Sequence, residues 1–523
     1  MSVMRGAESI GSGLAPARQA RPIRRHERIH VVGAAGAGAS AAALLAHAAG
    51  AIVTGCDAGG ASPYTPPIEA AGIHLDWSHQ AEHVRGQVPP DRLSVTKALT
   101  AIDPDNPELA AARAAGIPLE PWQQVIADAA VGRQLVAVAG THGKSTSSGW
   151  LVHVLAACGA DPSAFVGALM PGALTGGLPS TARLGSGRQF VVEADEYAGN
   201  FDPYRPNVAI LTSAEWDHPD VFANVEAVID CFHGWLLGSE VDPFGHPPVI
   251  VANVADPGVA EVAARLRNWP GQLWVTALWA GSPEAGLRVA EELEEQYATA
   301  DGPARALIGR VVEAGPTGTT VELGTSQLPE PLTARLRLAG RHNASNGLGV
   351  AAAAILLGLG GDELSEGLGS FRGVGRRLER KGEGRGVVVF DDYGHHPTAI
   401  RETLAAVRQI EPERRIWAVY EPLTYHRTAA MLGPFAEVLA SADAVVVADI
   451  WASRDPDTHI TSAAALAEAV ARRNPNIPVA APGSVEVTAE WLAREVRPGD
   501  AVLVMGGGKS YRIAELLLEA LRR

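Results

Sequence analysis

The stretch Gly140-Thr141-His142-Gly143-Lys144-Ser145-Thr146 gathers two glycines, an ammonium and hydroxyls within seven residues. Glycines let backbone N–H groups curl around phosphate oxygens, and a helix opening directly afterwards adds partial positive charge. Only four of the 43 basic residues are lysines: Lys97, Lys144, Lys381 and Lys509. A compact ammonium fits between β- and γ-phosphates where a broad planar guanidinium fits poorly, so Lys144 reads as a triphosphate ligand. Ser145 offers a hydroxyl to Mg²⁺. The pattern is shorter than the strict phosphate loop, which wants glycine where Val138 stands. The plainer alternative is a glycine turn with an exposed lysine.

Magnesium needs hard oxygen ligands. "VVEADEY" supplies Glu193, Asp195 and Glu196, and "TSAEWDHPD" supplies Glu215, Asp217 and His218. Each cluster follows an apolar run that reads as a strand, so both fall where ligand sites of α/β proteins collect. Either one alone is as well explained by solvated loop charge.

A second loop, "GAAGAGAS", holds Gly33, Gly36 and Gly38, with Asp57 24 residues after Gly33. This approximates a dinucleotide fingerprint and predicts a ligand bearing a pyrophosphate, NAD being only one. Small residues in such a loop also serve tight helix–strand packing. Further along come Arg341, His342, Asn343 and Asn346, then Arg376 and Arg377, then Asp391, Asp392, Tyr393, His395 and His396. Asn343 and Asn346 share a face if helical. Adjacent histidines invite a metal, but at a strand's C-terminal end substrate contact is the preferred reading. "MGGGKS" at 505–510 reads as a glycine turn opening a helix.

These groups require strand–loop–helix units to hold them. "RIHVVGAAGAGASAAALLAHAAGAIVTGCD" predicts strand, turn, a helix over roughly 37–49 and a second strand, a βαβ unit. A second unit starts at Gln134, with buried strands expected at "RQFVVEAD" and "NVAILTS". A third alternation uses "GVVVFDDYG", "RRIWAVYEP", "DAVVVADIW" and "DAVLVMGGG" as strands. The fold class expected is α/β, with three layered units in series. Residues 236–335 show weak periodicity and yield no clear elements.

Length and composition agree. A chain of 523 residues, 47% apolar, exceeds one ordinary core. Its net charge of -15 argues against general nucleic-acid binding and favours a cytoplasmic protein. No apolar run reaches the roughly 20 residues needed for membrane insertion. Cys56, Cys158 and Cys231 are odd in number and lack metal-type spacing, which speaks against disulfides or structural zinc. Residues 1–26, with five arginines and little apolar sequence, predict a disordered tail.

With these motifs in this order, the chain resembles the Mur ligases, ATP-dependent amide-forming enzymes of peptidoglycan precursor synthesis. It most resembles the branch that adds L-alanine to UDP-N-acetylmuramate. "IHVVGAAGAGAS", "DNPELAAARAAGIP", "VAGTHGKST", "EADE", "GRHNASN", "FRGVGRRLERKGE" and "DDYGHHPTAI" carry the likeness from about residue 28 onward. It implies a Rossmann-like UDP-sugar domain over 27–129, a P-loop ATPase domain over 130–372 and a Rossmann-like domain over 373–523. Gly33, Gly36, Gly38, Ser40 and Asp57 would serve the UDP-sugar. The loop 140–146, Asn346, Arg377 and Asp392 would serve ATP, and Ser145 with Glu193 or Glu196, Glu193 preferred, the first Mg²⁺. His218 would serve a second metal, while Tyr393, His395 and His396 would lie near the amino acid; Lys144, His218 and His395 are the expected catalytic groups. The quaternary expectation is a monomer or weak homodimer.

Departures are visible as well. Ser213 replaces the family's usual asparagine, and "VTKAL" replaces its usual serine pair. "EADEY" and "AEWDHPDVF" lean toward murein peptide ligase, which attaches a recycled tripeptide to the same UDP-sugar. "DDYGHHPT" and "EPLTYHRT" look more like the alanine-adding branch. Several Mur ligases use a carbamylated lysine; none is available between Lys144 and Lys381, which agrees with the alanine-adding branch, where such a lysine is not a feature.

Overall fold

The computed structural model describes residues 10–324, 331–452, 455 and 457–523. Among the described residues the strands form three sheets in series along the chain. The first is five-stranded and parallel. Its central strand, Arg28–Val32, is flanked by Ile52–Cys56 on one side and Arg92–Val95 on the other. The second has ten strands centred on Gln134–Ala139, between Gln189–Ala194 and Val208–Leu211. The third has six and includes Val387–Asp392, Arg415–Glu421 and Asp500–Gly506 as parallel neighbours.

The strands are near-continuous apolar runs because helices cover both faces, as parallel sheets require. In Gln134–Ala139, Val136 and Val138 enter one core while Leu135, Ala137 and Ala139 enter another. In Val387–Asp392, Val387 and Val389 likewise oppose Val388 and Phe390. The helix Ala37–Ala48 is rich in alanine, and its core is continuous with Phe165 and Ala182 of the second sheet. Small side chains bring the helix close: a Cβ on Gly38 would strike the Trp122 ring at 2.2 Å. The first two units therefore share an apolar seam.

Residues 236–335, illegible in sequence, extend the second sheet. Val249–Asn253, Gln272–Trp279 and Arg305–Gly315 add parallel strands, and Gly318–Gly324 and Leu332–Leu336 close it antiparallel. Residues 325–330 lie outside the described residues, as do 1–9 of the expected disordered tail.

Residues 10–26 correct that expectation. Arg18 pairs with Glu120 and Asp128 at 2.8 and 2.7 Å, and Arg21 pairs with Glu27 at 2.6 Å. Ala20 and Ile23 pack on the core. Arg18 and Arg21 meet buried carboxylates, which also face the buried Arg92. An ion-pair network orders what composition alone would leave loose.

Candidate active site

Sheet register assembles the site. Ala139 stands beside Ala194 and Leu211, so the loops after three adjacent strands emerge together. The first begins the phosphate loop. Gly140 has φ +136° and Gly143 φ +80°, values that favour glycine, and the helix Lys144–Ala157 starts directly after them. A Cβ on Gly143 would lie 2.6 Å from Asn346 Oδ1, on the helix Arg341–Leu356.

Lys144 Nζ donates to Gly140 O at 2.7 Å and to Glu196 Oε2 at 2.8 Å, with Asp195 Oδ1 at 3.4 Å. Burial opposes its charge, but the Glu196 and Asp195 carboxylates outweigh burial and raise its pKa. Within this trio burial raises the pKa of Glu196, while Lys144 and His218 hold that of Asp195 down against burial. Ser145 Oγ donates to Glu193 Oε1 at 3.0 Å, and Glu193 Oε2 accepts the Gly167 N–H at 2.6 Å. The two glutamates thus diverge: Glu196 holds the ammonium, and Glu193 stands beside the hydroxyl.

The third unit closes over this loop. Arg377 Nη2 donates to Ser145 Oγ at 2.8 Å, and its guanidinium lies 5.1 Å from the Tyr393 ring centroid. Asp392 Oδ2 accepts the Leu378 N–H and Oδ1 the Gly394 N–H, each at 2.7 Å. A cleft of about 780 Å³ lies between the units, walled by Gly38, Lys144, Glu193, Asn346, Asp392 and His395 among others.

The adjacent histidines separate into two clusters. His395 Nδ1 meets Tyr393 O at 3.0 Å, and its Nε2 lies 3.9 Å from Asp217 Oδ2. Burial, then Arg427, keeps His395 well below the ordinary imidazole range. His396 packs against His142 with ring centroids 4.6 Å apart and planes tilted by 39°, and a nitrogen of each lies within 4.8 Å of Glu215. Burial, with His142, pushes His396 down to about 4. Burial would raise Glu215, but His142 and the Thr398 hydroxyl hold it at about 2.

His218 has φ +53°, an unusual conformation for a non-glycine. Arg427, buried on the helix Tyr425–Ala430, donates to Asp217 Oδ1 at 2.6 Å and lies 3.1 Å from His218 Nδ1. Against burial, His218 and Arg427 hold Asp217 well below the usual carboxylate range. Sequence reasoning missed Arg427. "EPLTYHRT" contained it, but no local spacing ties it to Asp217, 210 positions earlier.

At the first loop, Gly33 has φ +83°, Gly36 caps the helix Ala37–Ala48, and Asp57 accepts the Ala35 and Gly59 N–H groups. Gly38 walls the cleft, whereas Gly33, Gly36 and Asp57 lie outside its walls. Ser40 departs from its expected place. It is buried, with its hydroxyl on Ala37 O at 2.9 Å and 3.1 Å from Thr181 Oγ1, inside the seam between units. The helical turn after the loop points its hydroxyl at Thr181 of the second unit. Lys97, from the unusual "VTKAL", crosses the same seam to Ala198 O and Gly199 O at 2.8 and 2.9 Å.

Family models match all three units in order: the Mur ligase family catalytic domain over 28–134, the Mur ligase middle domain over 138–354, and the Mur ligase glutamate ligase domain over 376–508. The chain belongs to the Mur ligase family. This Mur ligase is 34% identical over 504 residues to UDP-N-acetylmuramate–L-alanine ligase of Gloeobacter violaceus, covering 95% of this chain and 97% of that one. It is 35% identical over 501 residues to the enzyme so named from Mycobacterium marinum, covering 95% of each. In fold it matches UDP-N-acetylmuramate-alanine ligase MurC from Thermotoga maritima with a TM-score of 0.73 at 22% identity, over 94% of this chain and 99% of that one. A murein peptide ligase from Psychrobacter arcticus matches with a TM-score of 0.67 at 24% identity, over 95% and 98%. Among the described residues of this Mur ligase, no helix is long and apolar enough to cross a membrane.

Proposed function

We propose that this Mur ligase joins L-alanine to the lactyl carboxylate of UDP-N-acetylmuramate, consuming ATP and releasing ADP and phosphate in the cytoplasm. The observation that carries the reading is the convergence on Ser145 of Glu193 from the second unit and Arg377 from the third, beside Lys144. The long-range identity to L-alanine ligases supports the choice of amino acid.

The γ-phosphoryl group would sit in the loop of Gly140 and Gly143, against the Lys144 ammonium. Glu196 keeps that ammonium charged and pointed inward. Ser145 and Glu193 form a hard-oxygen pair 3.0 Å apart that fits Mg²⁺, and they would hold it. When bound, the ion neutralises charge on the β- and γ-phosphate oxygens. Arg377 adds a cation from the opposite wall. Asn346 would meet ATP and Asp392 its ribose. The first glycine loop, with Asp57 bracing its amides, would hold the pyrophosphate of the UDP-sugar.

A carboxylate oxygen attacks the γ-phosphorus and ADP leaves, giving an acyl phosphate. The deprotonated amine of alanine then attacks the acyl carbon. The C–O bond to phosphate breaks, and the amine proton leaves with the phosphate. His395 suits the acceptor on that path: its Nδ1 is occupied at the Tyr393 carbonyl, leaving Nε2 for the amine. Its depressed pKa favours passing the proton on. His218, with Nδ1 facing Arg427, would offer Nε2 to a second metal. Closure of the third unit over the loop would exclude water, which otherwise hydrolyses the acyl phosphate.

The test is ADP release from UDP-N-acetylmuramate with L-alanine, and separately with the recycled tripeptide. Turnover with alanine is expected. Turnover with tripeptide alone would replace this reading by murein peptide ligation.

A further inference from the structure

Away from the cleft, the first unit buries a cluster of metal-ligating side chains that the ligase reaction does not use. His30 lies on the central strand, Cys56 at the end of its neighbour, His83 on the short helix Glu82–Arg85 and Glu108 on the helix Pro107–Ala114. One ligand atom from each falls within 4.8 Å of all the others. His30 and Glu108 are 2% and 0% exposed, and Cys56 is fully buried.

The local geometry is unusual for a cluster held by hydrogen bonds alone. His30 Nε2 is 2.7 Å from Glu108 Oε1, close enough for an ion pair but off the line of a well-aligned hydrogen bond. His83 Nδ1 crowds the same oxygen at 2.9 Å, and Cys56 Sγ lies 3.0 Å from Oε2. A third imidazole, His79, sits 3.3 Å from both Cys56 Sγ and Glu108 Oε2. Three imidazoles and a thiol thus converge on one buried carboxylate.

The outward nitrogens carry the partners that metal-binding imidazoles have. His30 Nδ1 meets Thr54 Oγ1 at 2.7 Å, and His83 Nε2 faces Asp76 Oδ2 at 3.3 Å. His30 and His83 therefore each have one nitrogen fixed from behind and the other aimed into the cluster.

We propose that His30 Nε2, Cys56 Sγ, His83 Nδ1 and a Glu108 carboxylate oxygen form a closed, four-coordinate site for Zn²⁺ in the first unit. One thiolate, two imidazoles and a carboxylate are a zinc-type donor set, and the thiolate and imidazoles disfavour Mg²⁺ or Ca²⁺. The thiol proton leaves to solvent on binding, so two anionic ligands neutralise the dication in a buried place. Four protein ligands leave no open position, which makes the role structural. Cys56 O accepts the Gly33 and Ala34 N–H groups at 2.9 and 3.0 Å, so the ion anchors the strand end beneath the nucleotide loop. Cysteine spacing spoke against structural zinc because each ligand comes from a different element, and only folding unites them.

The test uses the full-length protein, stripped with chelator, reloaded with Zn²⁺ in excess Mg²⁺ and passed through gel filtration. One retained equivalent of zinc is expected, and Co²⁺ loading should give tetrahedral d–d bands with a thiolate-to-cobalt charge-transfer band. C56S should lose the charge-transfer band, and both C56S and H83Q should weaken zinc retention at least about ten-fold. H83Q, changed nearer the surface, serves if C56S does not fold. H396Q tests the His142–Glu215–His396 cluster as the source and should retain zinc. No retained zinc, or retention unchanged in both C56S and H83Q, overturns the proposal.

Discussion

Arg377 Nη2 of the third unit donates to Ser145 Oγ of the phosphate loop at 2.8 Å across 232 positions of chain. This bond makes the nucleotide site a joint product of two units, complete only when they meet. Arg377→Ala should lower kcat about 100-fold or more, as removal of one electrostatic donor does elsewhere. Arg377→Lys should recover part of that, because the charge returns without the fork. Phosphate release under saturating ATP is the measurement. Wild-type kcat in the alanine variant would remove Arg377 from the reaction.

Lys144 has two jobs that can be separated. It neutralises the Glu196–Asp195 pair in the resting protein, and it is proposed to hold transferring phosphate. Lys144→Ala should reduce turnover by about 10³-fold or more and also destabilise the fold by leaving the buried Glu196 carboxylate uncompensated. Adding Glu196→Gln should restore thermal stability while turnover stays lost. If the double variant regains activity, the ammonium is only a structural counter-ion.

How much of this was legible follows from where each partner lies. The phosphate loop, Glu193 and Asp392 stand beside apolar runs, so strand ends and their loops could be read one at a time. The approach of Arg377 to Ser145 and of Arg427 to Asp217 could not, because docking of separate units creates both contacts. Residues 236–335 were opaque for another reason. They build the far side of an existing sheet, ending in antiparallel strands partly open to solvent, so their burial pattern alternates weakly. Ser40 and Arg18 misled in opposite directions. A hydroxyl near a glycine loop turned inward to Thr181, and a basic tail residue found buried acids.

Lys97 bears on the seam between the first two units. Its ammonium donates to the carbonyls of Ala198, which has φ +48°, and Gly199. Burial lowers its pKa, against the opposing charges of Asp202 and Asp195. Lys97→Met keeps the stem and strands both acceptors, at a cost of about 1–3 kcal/mol. The first thermal transition should fall by a few degrees, with KM for UDP-N-acetylmuramate rising more than kcat falls. An unchanged melting curve would show the latch to be dispensable.

The burial of His396 beside His142 sets an acid limit on stability. His396 drops from the ordinary 6.5 to about 4 on folding, chiefly through burial. Between those values the unfolded chain binds more protons than the folded one, so stability rises with pH and is lost as pH falls from 6.5 toward 4. At about 1.4 kcal/mol per pH unit the loss is on the order of 3 kcal/mol. Glu215, lowered from 4.5 to about 2, acts in the same direction further down: its contribution is present above 4.5 and disappears as pH approaches 2. Melting temperature should therefore be flat above pH 6.5, decline through pH 5 and fall again below 4.5. His396→Gln shrinks the upper decline, leaving the share that His395 contributes, and leaves the lower one, because the amide does not titrate. A variant whose curve overlays the wild type between pH 4 and 6.5 would assign that decline to another group, His395 being the nearest imidazole with a depressed pKa.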